Sequence, residues 1–461
     1  MRKIREFKNY PPIDKIYAHY YPEDDCVFLD SSLQNRLGRY SIIGRRPYLK
    51  LVKGSTFTVN GEVCETSFED YVRTYLKEHE DKNDTGLPIV SGAVGYLTYD
   101  YGRKKEKITT RHQEEVELPE AVFCFYDNFI IEDHQEGRLF IVANGKTEDA
   151  GQLLEKTVQE IRGLSSDASQ NENTSENHGE ISVFPNFTKK EYQNAIERMI
   201  SYIVEGDIYI ANMTQQMKIE SSRAPYGVFQ TLRQNNPSPF GGFLNYGDTQ
   251  IICASPERFL QMRNRKIETR PMKGTRRRGL TPQEDDILRK ELEQSEKDKS
   301  ELLMIVDLER NDLNCVCVPG SVKVTEMYTI EEYATVFQLT SNVEGKLREE
   351  LTVMDLLEAA FPGGSITGAP KLRAMEIIDE LEHGQRNLYT GSIGYFTLDG
   401  DCDFNIVIRT AVYQKGNYYL GVGGGITCES DTEFEYEETL QKAKAILEAL
   451  GRRKDEEISV V

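Results

Sequence analysis

Between Glu268 and Gly279 the sequence reads ETRPMKGTRRRG, which places Arg270, Lys273, Arg276, Arg277 and Arg278 within nine residues of an otherwise acidic chain. A lysine amine is a nucleophile only when uncharged, and neighbouring cations and partial desolvation push it toward that state. The strand-like run ends at Pro271, and Gly274-Thr275 offers a bend whose backbone N–H groups and hydroxyl suit an anion. A solvated basic loop has the same charge run, so this stretch alone leaves both readings open.

Acidic residues recur at spacings that could hold a cation. In EKDKSELLMIVDLERNDL, Asp298 and Glu301 stand one helical turn apart just before the apolar run Leu302–Val306. Carboxylates there suit an oxygen-preferring cation such as Mg2+, although the helix dipole alone favours an acidic first turn. In SDTEFEYEETLQKAKAIL, Glu435 and Glu438 share a helix face at i, i+3. The preceding Gly423, Gly424 and Gly425 permit close approach of backbone to a ligand. A glycine-rich turn, FPGGSITGAP, enters a helix at Pro370, as loops with proline-initiated helices commonly do. In ASPERF, Glu257 sits at a strand–loop position beside Arg258.

Other chemistries are poorly supplied. The eight cysteines are scattered without a CxxC, and Cys315 and Cys317 lack a second pair at zinc spacing. Several lie in apolar runs, as expected of free thiols in a reducing cytosol. The six histidines form neither a metal cluster nor a Ser-His-Asp set. That leaves carboxylates, a lysine and a hard cation. A net charge of -20 without a basic tail argues against nucleic acid as a partner. No run approaches about 18 apolar residues, which argues against a membrane span. The start, MRKIREFKNYPP, has no apolar core of a secretory signal. The expected location is cytoplasmic.

These groups need a scaffold. With 461 residues, 38% hydrophobic and 29% charged, the chain suits two domains or one large composite core. The stretch 165–180 is polar and reads as a solvated linker between an N-terminal region, 1–164, and a catalytic region, 181–461. Thr188 with Glu191 predicts a capped helix; further helices are expected near 147–163, 295–313, 352–360, 370–382 and 431–451. Alternation such as FNIVIR from Phe404 to Arg409 predicts antiparallel sheets with one buried face. Regular βαβ spacing is absent. SGAVGYLTYD near residue 95 is similar to TGSIGYFTLD near residue 395, through an internal repeat or by chance.

Taken in order, IVSGAVGYLTYD, GDIYIANMTQ, NPSPF, ASPERF, RPMKGT, LLMIVDLERND, FPGGSITGAPKLRAMEIIDELE, YTGSIGY, IRTA, GGGI and EYEET resemble the chorismate-binding enzyme family over nearly the whole chain. That family includes anthranilate synthase component I, aminodeoxychorismate synthase component I, and the isochorismate and salicylate synthases. The resemblance implies an α+β fold: two large, mostly antiparallel sheets packed as a sandwich with outer helices. It also implies roles. Glu301, Glu435 and Glu438 would hold Mg2+ against the ring carboxylate of chorismate. Gly274, Thr275, Ser365, Tyr389, Arg409 and the backbone of Gly423, Gly424 and Gly425 would bind and orient the substrate. Glu257 would protonate the departing C4 hydroxyl, and Lys273 would add at C2.

Lysine in the PMKGT slot resembles the aminodeoxychorismate branch, where anthranilate synthases carry a small residue. Where isochorismate and salicylate synthases carry a water-activating lysine, this chain has Ile210, which has no basic group. The implied activity is conversion of chorismate and ammonia to 4-amino-4-deoxychorismate, for 4-aminobenzoate and folate. A separate glutamine amidotransferase subunit, in a heterodimer, would supply the ammonia. Anthranilate synthase component I is the nearest rival; a non-catalytic, ligand-sensing partner of an amidotransferase is another. Two residues depart from the family pattern: Gln338 stands where many relatives have histidine, and Ile210 where the amine-adding branches have glutamine. Ser31, Pro239, Phe240 and Gly241 match the region where anthranilate synthases bind tryptophan and form a candidate effector pocket, a plain structural role being the alternative.

Overall fold

The computed structural model describes residues 1–164, 181–333 and 336–452. The expected linker, 165–180, lies outside the described residues. From the strand Ile210–Glu220, antiparallel neighbours run through Asn417–Ile426, Thr410–Gln414, Thr249–Ser255, Phe240–Tyr246 and Val27–Asp30 to Tyr40–Lys53. That long strand pairs throughout with Ala121–Asp133. A second antiparallel run leaves Ala121–Asp133 through Gly92–Leu97, Ser392–Thr397, Cys402–Asn405, Arg258–Arg263 and Lys266–Thr269 to Val336–Lys346. The two sheets are one hydrogen-bonded network joined at the long strand pair.

The sandwich follows from where the apolar faces point. Val94, Tyr96, Ile393 and Tyr395 of the second sheet share a buried cluster with Leu244, Ile251, Cys253 and Val412 of the first. Interdigitated inner faces of this kind fill the space between stacked sheets. Each such side chain contributes about 1.5–3 kcal/mol over its exposed state. The outer face of the first sheet packs on helices Ala150–Gly163, Pro225–Asn235 and Thr432–Ala449. Helices Phe68–Glu78, Glu296–Asn314 and Val353–Ala360 cover the second. The expected α+β sandwich is the observed fold.

Local signals place the helices that matter for the site. Thr188 and Glu191 form a capping box at the start of Lys189–Glu205. The Ser295 side chain accepts from Asp298 N–H, and Asp431 accepts from Phe434 N–H, so each of the two acidic helices begins on a polar cap. The two similar stretches are direct neighbours: Gly92–Leu97 pairs with Ser392–Thr397, Gly95 opposite Gly394. Among the described residues no helix is long and apolar enough to cross a membrane.

Candidate active site

A cavity of about 560 Å3 is walled by the strands Ile210–Glu220, Met272–Arg277 and Asn417–Ile426, the loop at Ser365, and the first turns of Glu296–Asn314 and Thr432–Ala449. Lys273 enters it from a bulge. Lys273 pairs with Leu339 and Thr275 with Gln338, while Gly274 between them takes a left-handed φ of 74°. A bulge of this kind re-aims the adjoining side chain.

Lys273 Nζ donates to the Ser365 carbonyl oxygen at 3.2 Å, and Ser365 Oγ donates to Glu257 Oε1 at 2.8 Å. Glu257 is buried, and desolvation pushes its carboxyl up to about 7 against the opposing pull of Ser365, Lys273, Lys442 and Arg409. Near neutrality it therefore has both a proton to give and a carboxylate to take one back.

The sequence leaves open whether the arginines of this stretch form a solvated basic loop or surround the amine, and the structure pairs each of them with carboxylates. Arg276 pairs with Glu291 and Asp298, Arg277 with Glu284, Arg278 with Asp285, and Arg270 with Glu326 and Glu331. Lys273 shares its cavity with Glu257 and Glu301 and with Arg276, Lys297, Arg409 and Lys442.

Arg409 is the cation suited to a bound anion. Its backbone is left-handed, with φ of 49°, and among the described residues no carboxylate pairs with its guanidinium. Desolvation lowers its pKa from the usual arginine value. A half-desolvated, unpaired cation facing a cavity favours an anionic ligand. Tyr389 lines the same cavity, its phenol held protonated far above the ordinary range by burial.

Glu301, Glu435 and Glu438 all line the cavity. Burial raises the pKa of Glu301 and Glu435, and the charge of Glu438 adds to both shifts. Gly424 is set back from the cavity, and a Cβ there would meet Glu438 Oε2 at 2.7 Å and Glu435 Oε2 at 3.1 Å. The glycine thus makes room for two carboxylates. As placed, no three acid, His or Cys side chains among the described residues enclose one point closely enough to hold an ion. Lysines hold part of the acidic set: Lys442 lies 3.4 Å from Glu438 and Lys297 4.0 Å from Glu301. The donors are all oxygens and mutually repelling, which is the chemistry of a hard-cation site.

The structure brings Gly274, Thr275, Ser365, Tyr389, Arg409, Gly423 and Gly425 to the same cavity. Ser365 spends its hydroxyl on Glu257 and its carbonyl on Lys273, so it bears on these two groups as well as on any ligand. Sequence reasoning missed Lys442, whose Nζ donates to the Gly423 carbonyl at 2.7 Å; its position four residues after Glu438 was the available signal. Ile210 is buried beside Lys273: a Cβ on Gly425 would be 3.2 Å from Lys273 Nζ and 3.5 Å from Ile210 Cδ1. Gln338 also lines the cavity.

Ser31, Pro239, Phe240 and Gly241 meet elsewhere, on a larger cavity of about 620 Å3 that contains none of the catalytic candidates. There Ser31 Oγ donates to the Pro239 carbonyl at 2.8 Å. Arg39 is paired with Asp133 and Arg258 with Asp403. Size alone would select this cavity, but the unpaired cation, the amine and the buried Glu257 are in the smaller one.

The sequence pattern of the chorismate binding enzyme family matches residues 25–448. Aminodeoxychorismate synthase component 1 of Bacillus subtilis (strain 168) is 38% identical over 444 residues, covering 93% of this chain and 92% of that protein. Anthranilate synthase component 1 of Acetivibrio thermocellus is 35% identical over 451 residues, covering 93% and 91%. The crystal structure of anthranilate synthase component I from Streptococcus pneumoniae TIGR4 superposes with a TM-score of 0.80 at 30% identity, over 90% of this chain and 93% of that one. The family match over most of its length, with these relatives, places this chain in the chorismate-binding enzyme family.

Proposed function

We propose that this chain converts chorismate and ammonia to 4-amino-4-deoxychorismate, as an aminodeoxychorismate synthase component I. The observation that carries the reading is the junction at Ser365, where an amine and a buried acid are held side by side in a cavity containing an unpaired arginine. Arg409 neutralises one substrate carboxylate, and Tyr389 and the Gly423–Gly425 backbone orient the ring. Glu301, Glu435 and Glu438 would hold Mg2+, which when bound supplies positive charge to the other carboxylate.

In the first step the uncharged Lys273 amine forms a bond to C2. The two ring double bonds shift, the C4–O bond breaks, and Glu257 gives the proton with which the hydroxyl leaves as water. In the second step ammonia bonds to C4 and the C2–N bond breaks. The electron pair returns to Lys273, and Glu257 takes up the proton that ammonia loses. Burial of Glu257 serves both steps, since a carboxyl near 7 loses and regains a proton at similar cost. Ammonia would come from a glutamine amidotransferase partner, and the setting we infer is the cytoplasm.

The second reading, anthranilate formation, is favoured by the relatives named anthranilate synthase. Incubation with chorismate, ammonium and Mg2+ separates the two. The proposed activity gives a non-aromatic amine without pyruvate release. Fluorescent anthranilate as the main product, with equimolar pyruvate, would overturn it. A chain that leaves chorismate untouched would be a binding partner only.

A further inference from the structure

Three walls of the cavity are tethered to one residue that does not line it. Arg386 is 2% exposed and lies between the helix Lys371–Leu381 and the strand Ser392–Thr397. Its Nη1 donates to the Ile366 carbonyl at 2.7 Å, and its Nη2 donates to the Asn212 carbonyl. Nη1 is also 3.4 Å from Thr390 Oγ1. Nε and Nη2 hold Glu382, with Nη2 2.7 Å from Oε1. Glu382 extends the clamp by accepting the Thr214 N–H at 2.9 Å, and the Tyr99 ring covers the guanidinium at 4.7 Å.

Each tethered atom belongs to or adjoins a residue of the site. Ile366 follows Ser365, Asn212 lines the cavity, and Thr390 follows Tyr389. The ladder between Ile210–Glu220 and Gly368–Ala369 ends at Ala211, and Asn212 N–H to the Thr367 carbonyl, 2.8 Å, is the next direct bond. Beyond it the guanidinium spans the two segments. Thr390, a β-branched residue, is held at a left-handed φ of 60°, a conformation that persists only where its surroundings impose it. A planar fork of five donors can meet several acceptors at fixed angles, which an ammonium cannot.

We infer that Arg386, locked by Glu382, is a positioning residue: it sets the separation of the Ser365 loop and the Asn212 strand, and through Ser365 the aim of Lys273 and Glu257. This rests on the function proposed above. A purely stabilising pair would behave differently, because a buried ion pair exchanged as a unit for uncharged side chains of similar volume commonly keeps its stability. Losing one partner alone leaves a buried charge and unfolds the chain for reasons unrelated to aim.

The test is therefore the double variant Arg386→Met/Glu382→Gln, which keeps an acceptor for Thr214 N–H, together with Arg386→Lys. Thermal unfolding and steady-state kinetics with chorismate, ammonium and Mg2+ are measured on each. The expected result is a folded double variant with kcat lower by about 100-fold, the scale of a 1 Å misplacement, and KM for chorismate within about threefold. Arg386→Lys should show a kcat loss of the same order. A folded double variant, or an Arg386→Lys protein, with wild-type kcat would overturn the inference. Should the double variant fail to fold, Arg386→Lys decides alone. A wild-type chain that does not turn chorismate over would defeat the proposed function as well, an outcome distinct from equal activity in wild type and variant.

Discussion

Lys273 and Glu257 are joined through a single residue: the amine donates to the Ser365 carbonyl, and the Ser365 hydroxyl donates to the Glu257 carboxyl. A displacement of that loop moves both groups together. The nucleophile and the acid are thus fixed relative to each other before a substrate arrives, which is where much of the entropic cost of a two-group reaction can be met.

Glu257 gives the reaction its pH dependence. Its carboxyl is raised to about 7, so the acid form needed in the first step is present below that pH and lost above it. The rate at limiting chorismate should fall as pH rises through about 7. Glu257→Gln should remove that limb and lower the rate by about 10²–10⁴-fold. A pH–rate profile of wild type and variant checks this; an unchanged alkaline limb in Glu257→Gln would assign the titration to another group.

Gly424 makes room for Glu435 and Glu438, so Gly424→Ala should act on the cation. The added methyl group would stand 2.7 Å from Glu438 Oε2 and force the carboxylate aside. The Mg2+ concentration giving half-maximal activity should rise about tenfold or more, the range found when groups that orient ligands are disturbed. Removing divalent cations with EDTA should abolish wild-type turnover, and Mg2+ should restore it. Full activity in EDTA would exclude the three glutamates as a metal site.

Glu309 supplies a stability test on a buried carboxyl outside the substrate cavity. Its side chain is buried, and Thr269 Oγ1 lies 2.9 Å from its Oε2 and 2.7 Å from the Phe259 carbonyl. The hydroxyl has one proton for two acceptors, so the hydrogen-bond count is complete only if Glu309 carries a proton of its own. Burial accordingly raises its pKa well above the ordinary 4.5. With the folded value above the unfolded one, its contribution to stability is complete below 4.5 and is lost as pH rises. Glu309→Gln should therefore gain about 1–2 kcal/mol over wild type at pH 8, and little or nothing at pH 5. Calorimetric unfolding at the two pH values measures this; an equal difference at both would refute a protonated Glu309.

Sequence patterns carry the local features further than the distant ones. Thr188 with Glu191, Ser295 and Asp431 announce their helices because a cap is a short-range hydrogen bond between residues three apart. The helix Pro282–Gln294 escapes notice because it is charged nearly all round and buries only Leu292, leaving no apolar period to read. Motif order nominates Glu257, Lys273, Arg409 and the three glutamates as candidate site residues, and the fold brings them to one cavity. Their electrostatic setting was not legible. Arg277 and Arg278 find acids seven residues on, but the acids that neutralise Arg270 lie on a strand remote in sequence, as Glu331 illustrates. Arg386 carries no motif signal at all; its role emerges only when Ile366, Asn212 and Thr390 are seen around one guanidinium.

The account depends most on the bond between Lys273 and C2 of chorismate. Wild-type protein incubated with chorismate and Mg2+ without ammonia should accumulate an adduct of chorismate less one water, visible by intact-protein mass spectrometry and mapped to the peptide containing Lys273. The adduct should be absent in Lys273→Ala, with turnover down by about 10³-fold or more. Undiminished formation of 4-amino-4-deoxychorismate by Lys273→Ala, with no adduct on the wild-type lysine, would contradict it.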